Sequence, residues 1–439
     1  MPYFGGQIAV STSVPGGRFN MSSTTASLTF IHAADLHLGS PLTGLAIKDD
    51  EIARRFSEAS RKAFSELVTR AIDLAVAFVV IAGDVYDGDW KDNTIGLYFN
   101  REIARLHRAG IALFLLKGNH DAESIITRTI PLPETVQQFP SGKARTFRID
   151  NLKVALHGRS FAERAASENY ALDYPAPVPG WFNIGVLHTS CTGRPGHAPY
   201  APRTVADLAS RGYHYWALGY VHEYEELSRD PWVVFPGNLQ GRSVRECGPK
   251  GAVLVETTDG EVSQVRRLIV DSARWSSIEV SLSGIDTERE MLDAIRKAMA
   301  SHAEDAADKL LAMRVTLTGA TSLHRHLKSS VRRLADEVQA VAHHVGDDVW
   351  IEKLRVNTWD ASEVSASVGG SSFDLSAILR DLASSPEVLK AAEEIVSEVR
   401  GKLPEGLAQA AAADGDLATL LEEARLLVLG RAASTTIGA

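Results

Sequence analysis

Histidines, aspartates and one asparagine recur in this chain at one kind of place, directly after short apolar runs. Asp35 and His37 follow LTFIHAA, Asp84 follows FVVIAG, and Asn119, His120 and Asp121 follow IALFLLKG. His188 closes FNIGVLH, and His222 comes after YWALGYV. Carboxylate and amide oxygens together with neutral imidazoles are a donor set for manganese, iron or zinc, whereas a thiolate site would call for cysteines. The chain has two of those, Cys191 and Cys247, too few for a disulfide framework or a cysteine zinc module. In Asp35-Leu36-His37 the alternation of an extended chain puts both ligands on one side. One carboxylate can bridge two ions about 3.5–4 Å apart, which then clamp a phosphoryl group and acidify a water. A lone histidine after a strand is more often structural. Five sites of this kind in one chain point instead to a metal centre at carboxyl strand ends, where α/β sheets build ligand sites. Gly83 and Gly118, each just before a ligating residue, are expected to let the backbone turn sharply.

The elements that must position these residues follow from the pattern. From Leu28 onward short apolar runs alternate with longer amphipathic ones, as in a layered α/β domain. Helices are expected over 50–77 and over 93–109, the second closed by Gly110, giving two β-α units. KARTFRID and LKVALHGRSF read as a hairpin pair, FNIGVLHTSC as a buried strand, and YHYWALGYVHEYEEL as a strand running into a polar loop. GAVLVETTDGEVSQVRRLIV reads as two strands joined at Asp259-Gly260. After about Asp271 a separate β-α-β-α-β unit is expected, from IEVSLSG to VWIEKLRVNTW. Its second helix, over 322–343, holds the basic run His324 to Arg333, which is either a solvated face or a phosphate-contacting one. Ser362 to Ser372 reads as a linker, and the remainder as short amphipathic helices that dock on a partner or a twin.

The whole chain sets bounds on this. Its 439 residues allow two to three domains, and 45% hydrophobic with 23% charged residues excludes a disordered or fibrous protein. No apolar stretch is long enough to span a membrane, and a cytoplasmic location is expected. Residues 1–27 read as a flexible tail, with either Met1 or Met21 as the start. The net charge of −9 speaks against phosphate binding by global attraction. Residues 361–439, however, carry twelve acidic against six basic side chains, two thirds of that excess in the last fifth of the chain.

Taken in order, D-x-H (Asp35 to His37), G-D (Gly83-Asp84), G-N-H-D (Gly118 to Asp121), the single His188 and G-x-x-H (Gly219 to His222) resemble the motifs of the calcineurin-like metallophosphoesterases. FIHAADLHLGSPL, GRSF, LHTSCTG and FPGNLQGRSVRE resemble the DNA-repair exonuclease branch, SbcD-type and closest to YhaO-like bacterial proteins. The resemblance implies a layered metallophosphoesterase β-sandwich flanked by helices over 28–271, a small DNA-capping domain over 272–360, and C-terminal helices over 361–439 for partner binding or dimerisation. It implies two divalent ions, manganese by preference, with iron or zinc as alternatives. Asp35, His37, Asp84 and His222 would hold the first; Asp84, Asn119, His188 and residue 220 the second. His120 would assist the leaving group, oriented by Asp121, as a two-metal-activated hydroxide attacks phosphorus. Asp121 could equally cap the helix that follows. Arg159, Asn238, Gln240 and Arg242 fall where the branch places substrate contacts, or are ordinary surface hydrogen-bonding residues. The implied partners are DNA, an SMC-like ATPase (SbcC- or YhaN-like) and a second copy of the chain. The activity implied is that of a metal-dependent DNA exonuclease. A small-nucleotide phosphodiesterase and a catalytically impaired DNA-binding scaffold are the alternatives.

One position departs from the pattern. Where the motif is normally G-H-x-H, this chain has Gly219-Tyr220-Val221-His222. A phenol with a pKa near ~10 is a poor ligand for a divalent ion at neutral pH. Three consequences are open: a weakened second site, a tyrosinate on a ferric-like ion, or a folded protein with little nuclease activity. His32, His157, His197 and His214 are expected to be structural, as is the Cys191 thiol.

Overall fold

A computed structural model describes residues 27–40, 50–87, 93–123, 131–162, 170–191, 204–306, 309–361, 375–383 and 385–402, with a few isolated positions beyond. The expected N-terminal tail, the 362–372 linker, His197 and most of the last helical stretch lie outside these residues. The chain divides into two compact units. One comprises residues 1–278 with 299–314 and 342–353; the other comprises 279–298, 315–341 and 354–439.

The first unit is built on two six-stranded sheets. Its strands are β1 (Ser27–Ala33), β2 (Phe78–Ala82), β3 (Ala112–Leu116), β4 (Val136–Gln138), β5 (Arg145–Ile149), β6 (Val154–Gly158), β7 (Phe182–His188), β8 (Tyr215–Gly219), β9 (Tyr224–Arg229), β10 (Trp232–Pro236), β11 (Gly251–Thr258) and β12 (Glu261–Ile269). The order in one sheet is β12-β11-β1-β2-β3-β4 and in the other β5-β6-β7-β8-β10-β9. β1 to β4 are parallel, and so are β6, β7, β8 and β10. Within each sheet the carboxyl ends of the central strands therefore open on one edge, which brings residues distant in sequence together.

The apolar runs are continuous, not alternating, because both faces of each strand are covered. Phe30, Phe78, Val80 and Phe114 pack with Leu156, Ile184, Val186 and Ala217 of the other sheet, forming the centre of a sandwich. Their sequence neighbours Ile31, Val79, Ile81 and Leu113 face the opposite way. There they meet Phe64, Leu67 and Val68 of one helix and Phe99, Ile103 and Leu106 of another. These are α2 (Ala59–Asp73) and α3 (Asn93–Arg108), with Phe64 stacked on Phe99 at 5.3 Å between ring centroids. The outer face of the second sheet is covered in turn, with Leu187, Trp216 and Leu218 packed against Phe161, Tyr170, Tyr174 and Leu208.

Three expectations change in detail. The helix expected over 50–77 is two, α1 (Asp50–Ser57) and α2, separated at Glu58. The polar stretch after β8 is not a loop: Tyr224–Arg229 is edge strand β9, antiparallel to β10. YEELSR has little apolar content because an edge strand is half exposed, which removes the burial signal. The region after Asp271 contains β13 (Ala273–Ser281), β14 (Leu310–Thr321) and β15 (Val349–Asp360) in one sheet, ordered as numbered. Its second expected helix is also split, into His324–Ser329 and Val331–Val345, at Ser330 with φ −128 and ψ 31.

Candidate metal centre

The loops that leave β1, β2, β3, β7 and β8 bring three groups of ligand atoms together, the atoms of each lying within 4.8 Å of one another. One is His37, Asp87 and His120; the other two are Asp35, His37 and His222, and Asp35, Asp84 and His188. Asp35 belongs to both of the latter, so those two groups adjoin. Asn119 joins the last, its Oδ1 3.0 Å from His188 Nε2, and Asp84 Oδ2 lies 3.2 Å from the same nitrogen. Asp35, Asp84, Asn119 and His188 are all buried.

This packing requires unusual backbone. Asp35, His37, Asp84 and Tyr220 all have positive φ, at 51°, 43°, 54° and 105°. Non-glycine residues adopt such angles at a cost, and their gathering at one place is the signature of a site held by the structure around it. Gly83 turns as expected, at φ 103°. Gly118 is required for a different reason, close approach: a Cβ there would lie 2.1 Å from Asp84 Oδ1.

The donors fit divalent cations. His37 Nε2 and His222 Nε2 are 3.2 Å apart, close to the separation of two imidazole nitrogens on one ion with bonds of about 2.1 Å. His37 is neutral, since burial first, and then Arg242 and the neighbouring histidines, hold its pKa well below the ordinary value. His188 donates from Nδ1 to the Ala82 carbonyl at 2.8 Å, which leaves Nε2 to face the oxygens. His222 does the equivalent with a carboxylate, Nδ1 to Glu246 Oε1 at 2.8 Å. Hydrogen bonds of this kind fix the tautomer and orientation of metal-binding histidines.

His120 sits beside this centre, its ring 5.1 Å from that of His37. Its Nδ1 pairs with Asp87 Oδ1 at 3.1 Å. Asp87 also accepts from Ser40 Oγ at 2.6 Å. Burial would lower the His120 pKa, but the Asp87 hydrogen bond and the charges of Asp84 and Asp87 raise it above its ordinary value. Asp87 itself would be raised by burial, yet the His120 and Ser40 hydrogen bonds and the Arg242 charge hold it down to about 2. Asp121, expected to orient His120, is engaged otherwise. Its carboxylate accepts from the backbone N–H groups of Val85, Tyr86 and Gly118 at 3.1, 3.0 and 3.1 Å, and so ties the β2 and β3 loops together. It lies inside the short helix Asn119–Glu123 and does not precede it, so it is not that helix's N-cap.

The other expected residues separate. Arg242 is at the centre, its guanidinium 3.0 Å from Glu246 Oε1, 3.3 Å from His222 Nδ1 and 3.5 Å from Asp87 Oδ2. Asn238 is fully buried and donates to Glu246 Oε2 and the Gln240 carbonyl, both at 2.8 Å, which places it behind the site and out of a substrate's reach. Gln240 is also buried and bonds the backbone of Ser272 and Ala273. Arg159 lies over the Tyr170 ring at 4.0 Å and donates to Ser141 O. The Tyr220 ring meets His188 edge-on at 5.6 Å and packs on the apolar cluster containing Trp216 and Leu218, while its N–H donates to Asp35 Oδ2 at 2.9 Å. Asp87 and Glu246 were not singled out in the sequence. Asp87 is the fifth residue of the G-D-x-x-D stretch after β2, and Glu246 lies in a loop ten residues beyond β10, where position carries no signal. His32 and His157 are structural: His32 bonds Tyr215 Oη and the Leu218 carbonyl, and His157 bonds Thr146 and Asn183.

Comparison with known proteins gives matches to two family profiles, Calcineurin-like phosphoesterase over residues 28–183 and Metallophosphoesterase YhaO, middle domain, over 275–359. The uncharacterized metallophosphoesterase YhaO of Bacillus subtilis is 37% identical over 240 residues, which are 54% of this chain and 59% of that protein. The DNA double-strand break repair protein Mre11 of Methanopyrus kandleri is 24% identical over 380 residues, covering 80% of this chain and 75% of its own. The Mre11 of Haloferax volcanii is 28% identical over 259 residues, 58% of this chain and 55% of that one.

Proposed function

The chain carries a calcineurin-like phosphoesterase domain over residues 28–183, and on that premise we propose that it is a two-metal phosphodiesterase that cleaves DNA as an exonuclease in double-strand break repair. The observation that carries this reading is the pair of adjoining ligand groups sharing Asp35, with the His120–Asp87 pair beside them. The DNA substrate is supported by the relatives named as DNA repair proteins. Asp35, His37, Asp84 and His222 would hold one ion, with Asp84, Asn119 and His188 holding the other. Bound divalent ions, manganese in our reading, would stabilise charge on the phosphoryl oxygens and acidify a water. Among the chain's own residues, His120 carries the proton for the departing oxygen and Asp87 holds its ring. Arg242 sets its guanidinium between Glu246 and Asp87 beside the centre.

An SMC-like ATPase is the partner we infer. The helices Leu375–Ala383 and Pro386–Lys402 expose Ile378, Leu382 and Ile395, as helices that bind another protein would. A homodimer, with a capping role for residues 272–360, completes the proposal. One observation favours a second reading: Tyr220 packs its ring on an apolar cluster, and a centre short of an imidazole suits an impaired, DNA-binding subunit.

The test is release of nucleotides from end-labelled linear DNA by the full chain with manganese. Cleavage that disappears in Asp84→Asn and falls about 10²–10⁴-fold in His120→Gln is the expected result. Turnover of bis-p-nitrophenyl phosphate with no cleavage of DNA would overturn the assignment of DNA as substrate. Salt-dependent DNA binding without cleavage would establish the second reading.

A further inference from the structure

The loop after β10 holds a side chain to which the proposed chemistry assigns no role. Glu246 is buried, and both its carboxylate oxygens are occupied. Oε1 accepts from His222 Nδ1 at 2.8 Å and from Arg242 Nη2 at 3.0 Å. Oε2 accepts from Asn238 Nδ2 at 2.8 Å and from the Arg242 backbone N–H at 2.7 Å. Arg242 then reaches Asp87 Oδ2 at 3.5 Å, and Asp87 holds His120 at 3.1 Å. A continuous run of polar contacts thus links His222 to His120 along the chain His222, Glu246, Arg242, Asp87, His120. A salt bridge this enclosed is poor value as a source of stability, because desolvation offsets the attraction. Orientation is what it supplies.

We propose that Glu246 is a positioning residue that fixes His222 as a metal ligand, and that Arg242 is the strut holding Glu246 on one side and Asp87 on the other. Glu246 holds the Nδ1 edge of the His222 ring and so presents Nε2 towards His37 Nε2, 3.2 Å away. Arg242 has its guanidinium committed to two carboxylates, and its substitution loosens both ends together. The inference rests on the binuclear reading of the site and is independent of DNA as the substrate.

The test uses Mn²⁺ alone, titrated by calorimetry into the metal-stripped full chain. Glu246→Ala, His222→Ala and the double variant are compared with the unaltered protein, and Glu246→Gln tests rescue by an acceptor of the same size. Loss of such a partner typically lowers metal affinity about 10–100-fold. The expected result is a loss of that order in Glu246→Ala, a smaller one in Glu246→Gln, and a double variant no worse than His222→Ala alone, since the two residues act as one. Arg242→Met is expected to weaken the same binding event. Affinity within twofold of the unaltered protein in Glu246→Ala, or fully additive losses in the double variant, would overturn the inference. Failure of the unaltered chain to bind Mn²⁺ at all would instead overturn the metal reading beneath it. The melting temperature of the stripped variants shows that each is folded, and Glu246→Gln carries the test if Glu246→Ala is not.

Discussion

At the scale of single residues, Tyr220 and His188 would decide what a second ion meets. Position 220 keeps its backbone N–H on Asp35 whatever its side chain, and its φ of 105° strains any residue other than glycine. A histidine there inherits the strain already present and adds an imidazole. Tyr220→His should therefore raise manganese-dependent hydrolysis of bis-p-nitrophenyl phosphate at least several-fold; equal rates in the two proteins would remove position 220 from the metal account. His188 makes a prediction about pH. Burial disfavours its charged form, but the Asp84 charge and hydrogen bond, the Asp35 charge and the Ala82 carbonyl raise its pKa to about 9 in the metal-free protein. A metal ion must displace that proton. Manganese affinity should then rise with pH up to about 9 and level off above it, with release of a proton visible as buffer-dependent binding heat. Affinity that is flat from pH 6 to 9 would contradict His188 as a ligand. The candidate ligand residues that the fold gathers were legible because their types and order are chemical facts of the sequence. Asp87 and Glu246 were not, because a carboxylate in a loop looks the same whether it faces solvent or an imidazole, and only the folded loop decides.

At the scale of elements, the site depends on loops from several strands meeting within van der Waals distance. Gly118 shows how little slack there is, since a Cβ would also lie 2.7 Å from the Asp84 backbone nitrogen. Gly118→Ala should displace Asp84 and lower hydrolysis about a hundredfold, the loss expected for a misplacement of about 1 Å in a catalytic group. The metal-free melting temperature and the steady-state rate together check this, and a rate like that of the unaltered protein would mean that the loop has more freedom than its contacts imply. The strands and helices that bury both faces were readable, as continuous apolar runs or amphipathic periods. β9 was not, because its polar residues lie at a sheet edge. Nor was the placement of β11 beside β1, a pairing of residues more than two hundred positions apart such as Phe30 with Val255. Nothing local encodes that pairing; the cover it gives the sandwich does.

At the scale of the whole molecule, the net charge of −9 remains compatible with a nucleic-acid substrate, because much of the excess lies in residues 361–439. Within the basic run, Arg325 and Arg333 are poor candidates for supplying the attraction. Arg325 pairs with Asp360 at 2.9 Å, Arg333 with Glu288 at 2.9 Å and Glu337 at 3.4 Å, and His326 with Glu288 at 2.5 Å. Such exposed pairs add little stability, but they offset the positive charge of Arg325 and Arg333, two of the four arginine and lysine side chains in the run. Replacing Arg325 and Arg333 together by alanine should leave the salt dependence of DNA binding unchanged; a slope smaller by about 0.9 per arginine would show that each holds a phosphate. Any attraction for DNA would then centre on bound metal ions, and the proposed function stands or falls on that centre. Anomalous scattering from crystals of the full chain soaked in manganese tests it most directly. Two peaks about 3.5–4 Å apart are predicted, one against Asp35, His37 and His222 and the other against Asp84, Asn119 and His188. A single peak, or none, at these residues would contradict a binuclear centre.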